Sequence, residues 1–174
     1  MSLLKNFQVA KTNRVKKGFF CKIIKLLPKV VDKEGLVHEQ YVVLKLLNGK
    51  EMLAFDPSLL IQEFHFNKRV LIEIYIEWPK VVKKTKHIKK DVIPEKNNSN
   101  KFYGQIKKIL LGRGKKQVSL VVDIGMNGTI FVDLNRSMSY DAFEIDDYVE
   151  ITDGRTDLYK VVKVFNDKKR VGKK

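Results

Sequence analysis

Short runs in which hydrophobic and polar positions alternate occupy the second half of the chain, and turn-forming residues separate them. A period of two residues is typical of a half-buried β-strand, and glycine-containing breaks are typical of hairpin turns. The break at Asn127-Gly128 supplies the positive φ angles that tight turns require. A short helix is predicted from Ser137, as its N-cap, to Phe143. The predicted strands are Lys101–Leu111, Gln117–Ile124, Thr129–Leu134, Asp147–Ile151 and Leu158–Phe165.

The first half of the chain repeats this order of elements. Asn48-Gly49 separates its second and third strands, as Asn127-Gly128 does in the second half. Asp56-Pro57 offers an N-cap followed by proline at the first helical position, so a helix is predicted as far as about Phe64. Each half therefore has the predicted order β-β-β-α-β-β. The strands predicted in the first half are Phe19–Leu27, Tyr41–Leu47, Glu51–Phe55, Val70–Trp78 and Val81–Ile88.

This order of elements resembles the OB-fold, a five-stranded Greek-key barrel that commonly binds oligonucleotides. The fold class predicted from it is mainly β, with two tandem five-stranded OB-like barrels and a basic arm at each end. A pair of SH3-like barrels is the structural alternative. The resemblance implies a binding surface across the second and third strands, bordered by the loops one-two and four-five. The predicted domains are an N-terminal arm at 1–17, a first barrel at 18–90, a linker at 91–101, a second barrel at 102–167 and a C-terminal tail at 168–174.

The charge of the chain favours a polyanionic partner. Its 174 residues include 35 Lys and Arg against 20 Asp and Glu, a formal net charge of +15. Residues 1–17 and 168–174 each hold five basic residues and no acidic one, and residues 18–96 hold fifteen basic against ten acidic. Residues 97–167 are formally neutral, and their acidic stretch Asp141–Ile151 is suited to contact with a protein partner. A solvated lysine-rich surface without a specific partner is the alternative explanation.

The sequence contains no pattern typical of catalysis or metal binding. The histidines His38, His65 and His87 are widely spaced, and the single cysteine, Cys21, lies in an apolar strand where a buried thiol is expected. The glycines of Gly112–Lys116 lack the spacing and the trailing Ser or Thr of a phosphate-binding loop. The sequence shows neither a signal peptide nor a run of about 18 apolar residues. We therefore predict a cytoplasmic protein without enzymatic activity, cofactor, metal or membrane contact.

Strand alternation separates core positions from outer positions, since successive side chains point to opposite faces. The aromatic residues Phe20, Tyr75, Tyr103 and Phe131 fall on the outer face, as does Met52. Rings beside cations suit single-stranded nucleic acid, because rings stack on any base and cations neutralise phosphate. Packing of these rings under a helix, an arm or a neighbouring barrel is the alternative. The predicted core positions are Phe19, Cys21, Ile23, Leu53, Phe55, Val70, Ile72, Ile74, Phe102, Gly104, Ile106, Val132 and Leu134.

Six lysines occur in the eleven residues from Lys80 to Lys90, on or beside a predicted edge strand. They are able to follow a phosphate backbone, although lysines on an edge strand also block aggregation. The candidate nucleic-acid-binding residues are Phe20, Lys22, Tyr75, Lys80, Lys83, Lys84, Lys86, Lys89, Lys90, Tyr103, Gln105, Lys107, Arg113, Lys115, Lys116 and Phe131.

Together, these features predict sequence-tolerant binding of single-stranded DNA or RNA by aromatic stacking and lysine–phosphate contacts. The alternative is a structural protein that assembles a ribonucleoprotein particle or a replication complex and uses its barrels for protein contacts. The choice between DNA and RNA stays open, because recognition of the 2′-hydroxyl needs specific contacts that a sequence does not display.

Overall fold

The structure is a computed structural model that describes residues 18–95, 99–112, 117–134, 138, 140–152 and 154–166. It is mainly β, as the strand patterns predict, with 65% of the described residues in strands and 6% in helices. Among the described residues, the strands are β1 Phe19–Val31, β2 Val37–Leu46, β3 Glu51–Asp56, β4 Arg69–Glu77, β5 Val81–Lys84, β6 Asp91–Pro94, β7 Asn100–Leu111, β8 Val118–Asp123, β9 Thr129–Leu134, β10 Tyr148–Thr152 and β11 Arg155–Phe165. Short 3-10 helices span Glu63–His65, Gly125–Asn127 and Tyr140–Ala142.

Five strands form a closed barrel in the order β1, β2, β3, β11, β4 and back to β1. β1 lies between β2 and β4, because Cys21 is opposite both Leu46 of β2 and Val70 of β4. β11 closes the barrel, since it runs parallel to β3 where Asp157 faces Phe55 and antiparallel to β4 along its whole length. The last strand of the chain therefore completes a barrel whose other four strands come from the first half.

The fifth strand of this barrel is not the one that the sequence predicts. Of the predicted strand Val81–Ile88, only β5 forms, and it pairs with β10 instead of β4. Neither face of Val81–Ile88 is continuously apolar, since alternation places a lysine on both faces. The side chains that β11 turns toward the barrel interior are Thr156, Leu158, Val161 and Val164. β11 therefore buries the complete face that a barrel strand needs.

The remaining strands continue the same sheet. β7 pairs with β6, β8 and β10, and β8 pairs with β9. β9 joins β4 through a short parallel pairing at Tyr75 and Phe131. β5 follows β4 along the chain but pairs with β10, whereas β11 follows β10 but pairs with β4. The two halves of the chain thus exchange strands within one continuous sheet.

The two predicted helices are replaced by 3-10 turns in the described residues. After β3, the buried carboxylate of Asp56 accepts hydrogen bonds from the N–H groups of Leu60 and Ile61 and from the side chain of Gln40, each at 2.9 Å. These bonds hold the segment after β3 in an irregular turn, so one 3-10 turn forms there instead of an α-helix. Ser137, the predicted cap of the second helix, lies outside the described residues.

Alternation predicts most of the core correctly. The predicted core positions of β1, β4, β7 and β9 are buried. In β3 the register with β2 turns Met52 and Ala54 inward and leaves Leu53 half-buried, which reverses the predicted orientation of Met52 and Leu53, whereas Phe55 is buried as predicted. Part of the predicted linker 91–101 is also ordered as β6, where pairing with β7 buries Val92 completely.

Candidate nucleic-acid interface

The lysines from Lys80 to Lys90, predicted to follow a phosphate backbone, are mostly paired with carboxylates. Lys80 and Lys86 are exposed and form no ion pair with a described residue. The paired lysines are Lys83 with Glu150 at 3.2 Å, Lys84 with Asp147 at 2.8 Å, Lys89 with Asp91 at 3.1 Å and Lys90 with Asp123 at 2.6 Å. Four of the six lysines are therefore held in ion pairs, although Glu150 is shared with Lys101 and Asp91 with Lys50. The strand residues of this segment suit the protection of a sheet edge.

The carboxylates in these pairs are held in their ionised form. Burial alone would raise the pKa of Glu150, but hydrogen bonds and ion pairs with Lys101 and Lys83 lower it below its usual value. Lys84 has the same effect on the pKa of Asp147, again against the effect of burial. Opposite charges lower a carboxyl pKa because they favour its charged form. Part of the acidic stretch predicted to contact a protein is thus already paired within the chain.

Two of the four predicted stacking rings pack on each other. Phe131 is 5% exposed, and the ring of Tyr75 is stacked on it with centroids 4.6 Å apart and an interplanar angle of 6°. The exposed ring of Tyr159 packs on Tyr75 at 4.8 Å. Burial, together with the charge of Asp133, raises the pKa of the Tyr75 hydroxyl. Phe131 therefore packs where β9 joins β4, which is the alternative to base stacking that the sequence left open for these rings.

The predicted site residues of β7 lie among paired charges. The Nζ atom of Lys89 lies 4.9 Å from the ring centroid of half-buried Tyr103. Gln105 donates a hydrogen bond to the backbone carbonyl of Asp146, and Lys107 forms an ion pair with its carboxylate at 3.1 Å. The predicted residues that lie outside the described part of the chain are Arg113, Lys115 and Lys116. The described residues of β7 thus offer one partly covered ring and few unpaired cations.

The surface that the OB-fold resemblance implies, on β2 and β3, carries rings that are already covered. Tyr41 and Phe55 face each other across these strands with ring centroids 5.4 Å apart. The Nζ atom of Lys29 lies 4.4 Å from the Phe55 centroid, and the guanidinium of Arg155 lies 5.0 Å from it. The carboxylates that pair with these two cations are Glu39, Asp157 and Glu77. This surface is therefore not electropositive.

A different surface brings aromatic rings together with unpaired cations. It lies where β2, β1, β4 and β11 run side by side. Lys22 of β1 faces Lys45 of β2 on one side and Arg69 of β4 on the other, and Arg69 in turn faces Phe165 of β11. We call this surface the basic face, and its members are Phe20, Lys22, Lys45, Arg69, Lys163 and Phe165.

The two aromatic rings of the basic face form cation–π contacts with two of its cations. Phe20 and Lys163 both lie opposite Leu71, and the rings of Phe20 and Phe165 are 6.2 Å apart and tilted by 44°. The guanidinium of Arg69 lies 4.9 Å from the Phe20 centroid and 5.8 Å from the Phe165 centroid. The Nζ atom of Lys163 lies 5.0 Å from the Phe165 centroid. Cation–π contacts therefore position these groups without neutralising their charge.

The four cations of the basic face form no ion pair with a carboxylate in the part of the chain that the structure describes. Like charges directly opposite each other in a sheet are destabilising, and Lys22 lies between two of them. An anion bound at this row would remove the repulsion. The arrangement is thus suited to phosphate groups.

Sequence reasoning found part of the basic face and missed the rest. Phe20 and Lys22 are among the predicted site residues. The members that it missed are Lys45, Arg69, Lys163 and Phe165. Alternation along each strand places these side chains outward, which is the signal that was present in the sequence. Their assembly into one surface depends on the registers of three strand pairs, which no local pattern specifies.

The basic arms join the fold beside the basic face. Phe19, at the start of β1, lies opposite Ile72 of β4. Phe165, at the end of β11, lies opposite Arg69 of β4. The first and the last residue of the barrel therefore pair with the same four-residue stretch of β4. Residues 1–17 and 168–174 each contribute five basic residues to the chain. The points where these segments attach therefore flank the unpaired cations.

Three further observations concern metal ligands, the cysteine thiol and the helices of the described residues. Among them, no group of three His, Cys, Asp or Glu side chains is placed to hold a metal ion. Burial raises the pKa of the Cys21 thiol, so the thiol stays protonated and poorly reactive at neutral pH. None of the described helices has the length and apolar character needed to cross a membrane.

Comparison with known proteins adds no family assignment. No protein-family model matches the chain, and no curated protein sequence matches it. The basic face is therefore interpreted from its own geometry and charge.

Proposed function

We propose that this protein binds single-stranded nucleic acid on the basic face, with little dependence on base sequence and without enzymatic activity. The observation that carries the proposal is the row of Lys45, Lys22 and Arg69, which lie opposite one another without a described ion-pair partner and lead to the ring of Phe165. Lysine contacts phosphate as a point charge and does not read the base, which favours sequence tolerance.

Arg69 has a central role in this proposal. Its guanidinium lies over the rings of Phe20 and Phe165, and these cation–π contacts position it on the surface of the sheet. Nucleic-acid bases stack on guanidinium planes as well as on aromatic rings, so a base can stack on the outer side of Arg69. A base that stacks directly on an aromatic ring contributes about 1–3 kcal/mol to binding. A single strand is favoured over a duplex, because only its bases are free to turn toward a flat surface.

The architecture supports the same function. The closed barrel of β1, β2, β3, β11 and β4 is consistent with an OB-like fold. We interpret β7, β8, β9 and β10, with β5 at their edge, as a second OB-like unit that has exchanged its last strand with the first. OB-like barrels commonly bind oligonucleotides. The proposed site nevertheless lies mainly on β1, β4 and β11, and it includes only Lys45 of the second strand and no residue of the third.

A second candidate function is assembly through protein contacts, and one observation favours it. Trp78 is 65% exposed, and the guanidinium of Arg155 lies 5.0 Å from its ring. Arg155 is itself fixed by ion pairs with Asp157 at 2.6 Å and Glu77 at 3.0 Å. Rigidly held tryptophan and arginine side chains are typical of the residues that dominate protein–protein interfaces.

Fluorescence anisotropy of labelled oligonucleotides separates these functions. The full chain is titrated against oligo-dT, oligo-U and a duplex of equal length, between about 50 and 200 mM salt. We expect tighter binding of the single strands, with log affinity falling linearly with log salt. Phe165→Ala should weaken binding, whereas Tyr159→Ala, which removes an exposed ring of the same strand outside the basic face, should not. Absence of single-strand binding, or affinity that ignores salt, would contradict the proposal and favour assembly through protein contacts.

A further inference from the structure

We infer that the bound strand crosses the sheet from β2 over β1 and β4 to β11, instead of following β4, and that about four nucleotides lie on the protein. This inference rests on the proposed function and adds to it the path and the length of the bound strand. It is carried by the positions of cations and carboxylates on the outer face of the barrel.

The cations of the row point across the strands. Lys45, Lys22 and Arg69 are direct partners from strand to strand, so their backbone positions form a row that runs around the barrel, perpendicular to β1. Neighbouring strands are about 4.8 Å apart, which spaces the three cations evenly along this line. Phe165 is the next position on the same line and provides a ring at its end. A strand on this path meets three cations and then a stacking surface.

Carboxylates oppose a path along β4. Beyond Leu71, the outer face of β4 carries Glu73 and Glu77, and Asp157 of β11 lies opposite the residue between them. Burial, followed by the charge of Asp157, raises the pKa of Glu77, although its ion pair with Arg155 acts in the opposite direction. Phosphate groups that followed β4 away from the basic face would therefore be repelled.

A carboxylate also lies at the β2 end of the cation row. Glu51 of β3 lies opposite Lys45, although the two form no ion pair. The favourable path therefore runs around the barrel from β2 to β11, which is three strand spacings, or about 14 Å measured along the curved sheet. At about 3.4 Å per nucleotide in a stacked strand, this distance accommodates about four nucleotides. That length is at the lower end of the range for single barrels of this kind, about 4–16 nucleotides.

Two matched lysine substitutions test the path. Lys45 lies on the proposed line, whereas Lys160 lies opposite Glu73 on the path along β4, and both are exposed and form no ion pair with a described residue. The full chain, as wild type, Lys45→Gln and Lys160→Gln, is titrated over a salt series with oligo-dT of about four and about eight nucleotides. Loss of one phosphate contact lowers the salt slope by about 0.7. Between about 50 and 200 mM salt, Lys45→Gln should therefore lose about 2–3-fold less affinity than the wild type.

Each outcome bears on one of the two proposals. A lower slope for Lys45→Gln with an unchanged slope for Lys160→Gln supports the path across the sheet. The reverse result, or two variants that both match the wild type, overturns this path while leaving single-strand binding intact. Failure of the wild type to bind either oligonucleotide contradicts the proposed function itself. Neither variant should unfold at a lower temperature than the wild type, because neither exposed lysine forms an ion pair with a described residue and Lys45→Gln also removes a repulsion with Lys22.

Discussion

Replacing Leu158 with alanine tests whether β11 closes the barrel. Leu158 is 2% exposed and lies opposite Ile74 of β4, in the barrel interior. Truncation of a fully buried leucine costs about 2–5 kcal/mol of unfolding free energy, because the lost apolar burial adds to the cavity that remains. Val162 is the matched control, since it is 42% exposed and lies at a bulge of the same strand. Val162→Ala should change the unfolding free energy by no more than about 0.5 kcal/mol.

The expected loss is large enough to measure by two methods. A change of about 3 kcal/mol is a substantial part of the roughly 5–15 kcal/mol that stabilises a typical domain. In a protein of this length it lowers the melting temperature by about 6–12 °C. Urea unfolding followed by circular dichroism gives the free energy. Hydrogen exchange then locates the effect, and Leu158→Ala should speed exchange in β1 to β4 more than in β7 and β8.

A self-contained second barrel would give the opposite pattern. Leu158→Ala would then loosen β7, β8 and β10 and leave β1 to β4 protected. A fragment of residues 1–95 provides a further check, because it lacks β11 and leaves β3 and β4 with unpaired edges. We expect it to lack a cooperative unfolding transition. Cooperative unfolding of this fragment, or tolerance of Leu158→Ala equal to that of Val162→Ala, would refute the reasoning.

Three further predictions concern charge and backbone conformation. Lys22→Gln should weaken oligonucleotide binding and lower the salt slope by about 0.7, whereas Lys83→Gln should change neither, because Lys83 is paired with Glu150. Equal effects in the anisotropy titrations would contradict the distinction between paired and unpaired cations. The lowered pKa of Glu150 means that its ion pairs stabilise the protein fully above the unfolded value of about 4.3 and are lost as pH falls through the folded pKa. In urea unfolding at a series of pH values, Glu150→Gln should therefore lose less stability on acidification than the wild type, and identical profiles would rule out this contribution. Gly128 has a φ of 108°, and a Cβ there would overlap the carbonyl oxygen of Gly18, so Gly128→Ala should lower the melting temperature. A melting temperature equal to that of the wild type would show that the backbone at Gly18 and Gly128 can move apart without loss of stability.

Local patterns were sufficient to locate most strands and to orient the majority of them. Phe19, Cys21 and Phe102 are predicted in the core and are buried. The turn at Asn48-Gly49 also lies where it is predicted, with Gly49 at a φ of 84°. These are local properties, because the pleat directs each side chain and glycine tolerates positive φ whichever strand comes to lie alongside. The net charge and its concentration toward the chain ends follow from composition in the same way.

The candidate site was only partly predictable, because charge pairing acts between strands that are distant in the sequence. Lys83 belongs to a segment that is rich in lysine in the sequence, but in the fold its ammonium group forms an ion pair with Glu150 of β10. In the sequence, Lys22 is one of many lysines on outward positions. The registers of β1 with β2 and β4 bring it between Lys45 and Arg69. A sequence pattern indicates which side chains point outward. Their neighbours, and hence their net charge, depend on the pairing of strands.

Closure of the barrel was decided by the tertiary structure. The residues Val81–Ile88 follow β4 directly, so local hairpin formation favours them as the fifth strand. Lysines on both of their faces prevent them from burying a complete face, whereas β11 buries Leu158 and its inward neighbours along all of β4. The entropy of closing a loop grows only slowly with loop length, so a distant strand that buries more apolar surface can replace a nearby one. The sequence alone therefore determined most of the strands and most of their inward faces, and burial across the assembled barrel decided which strand closes it.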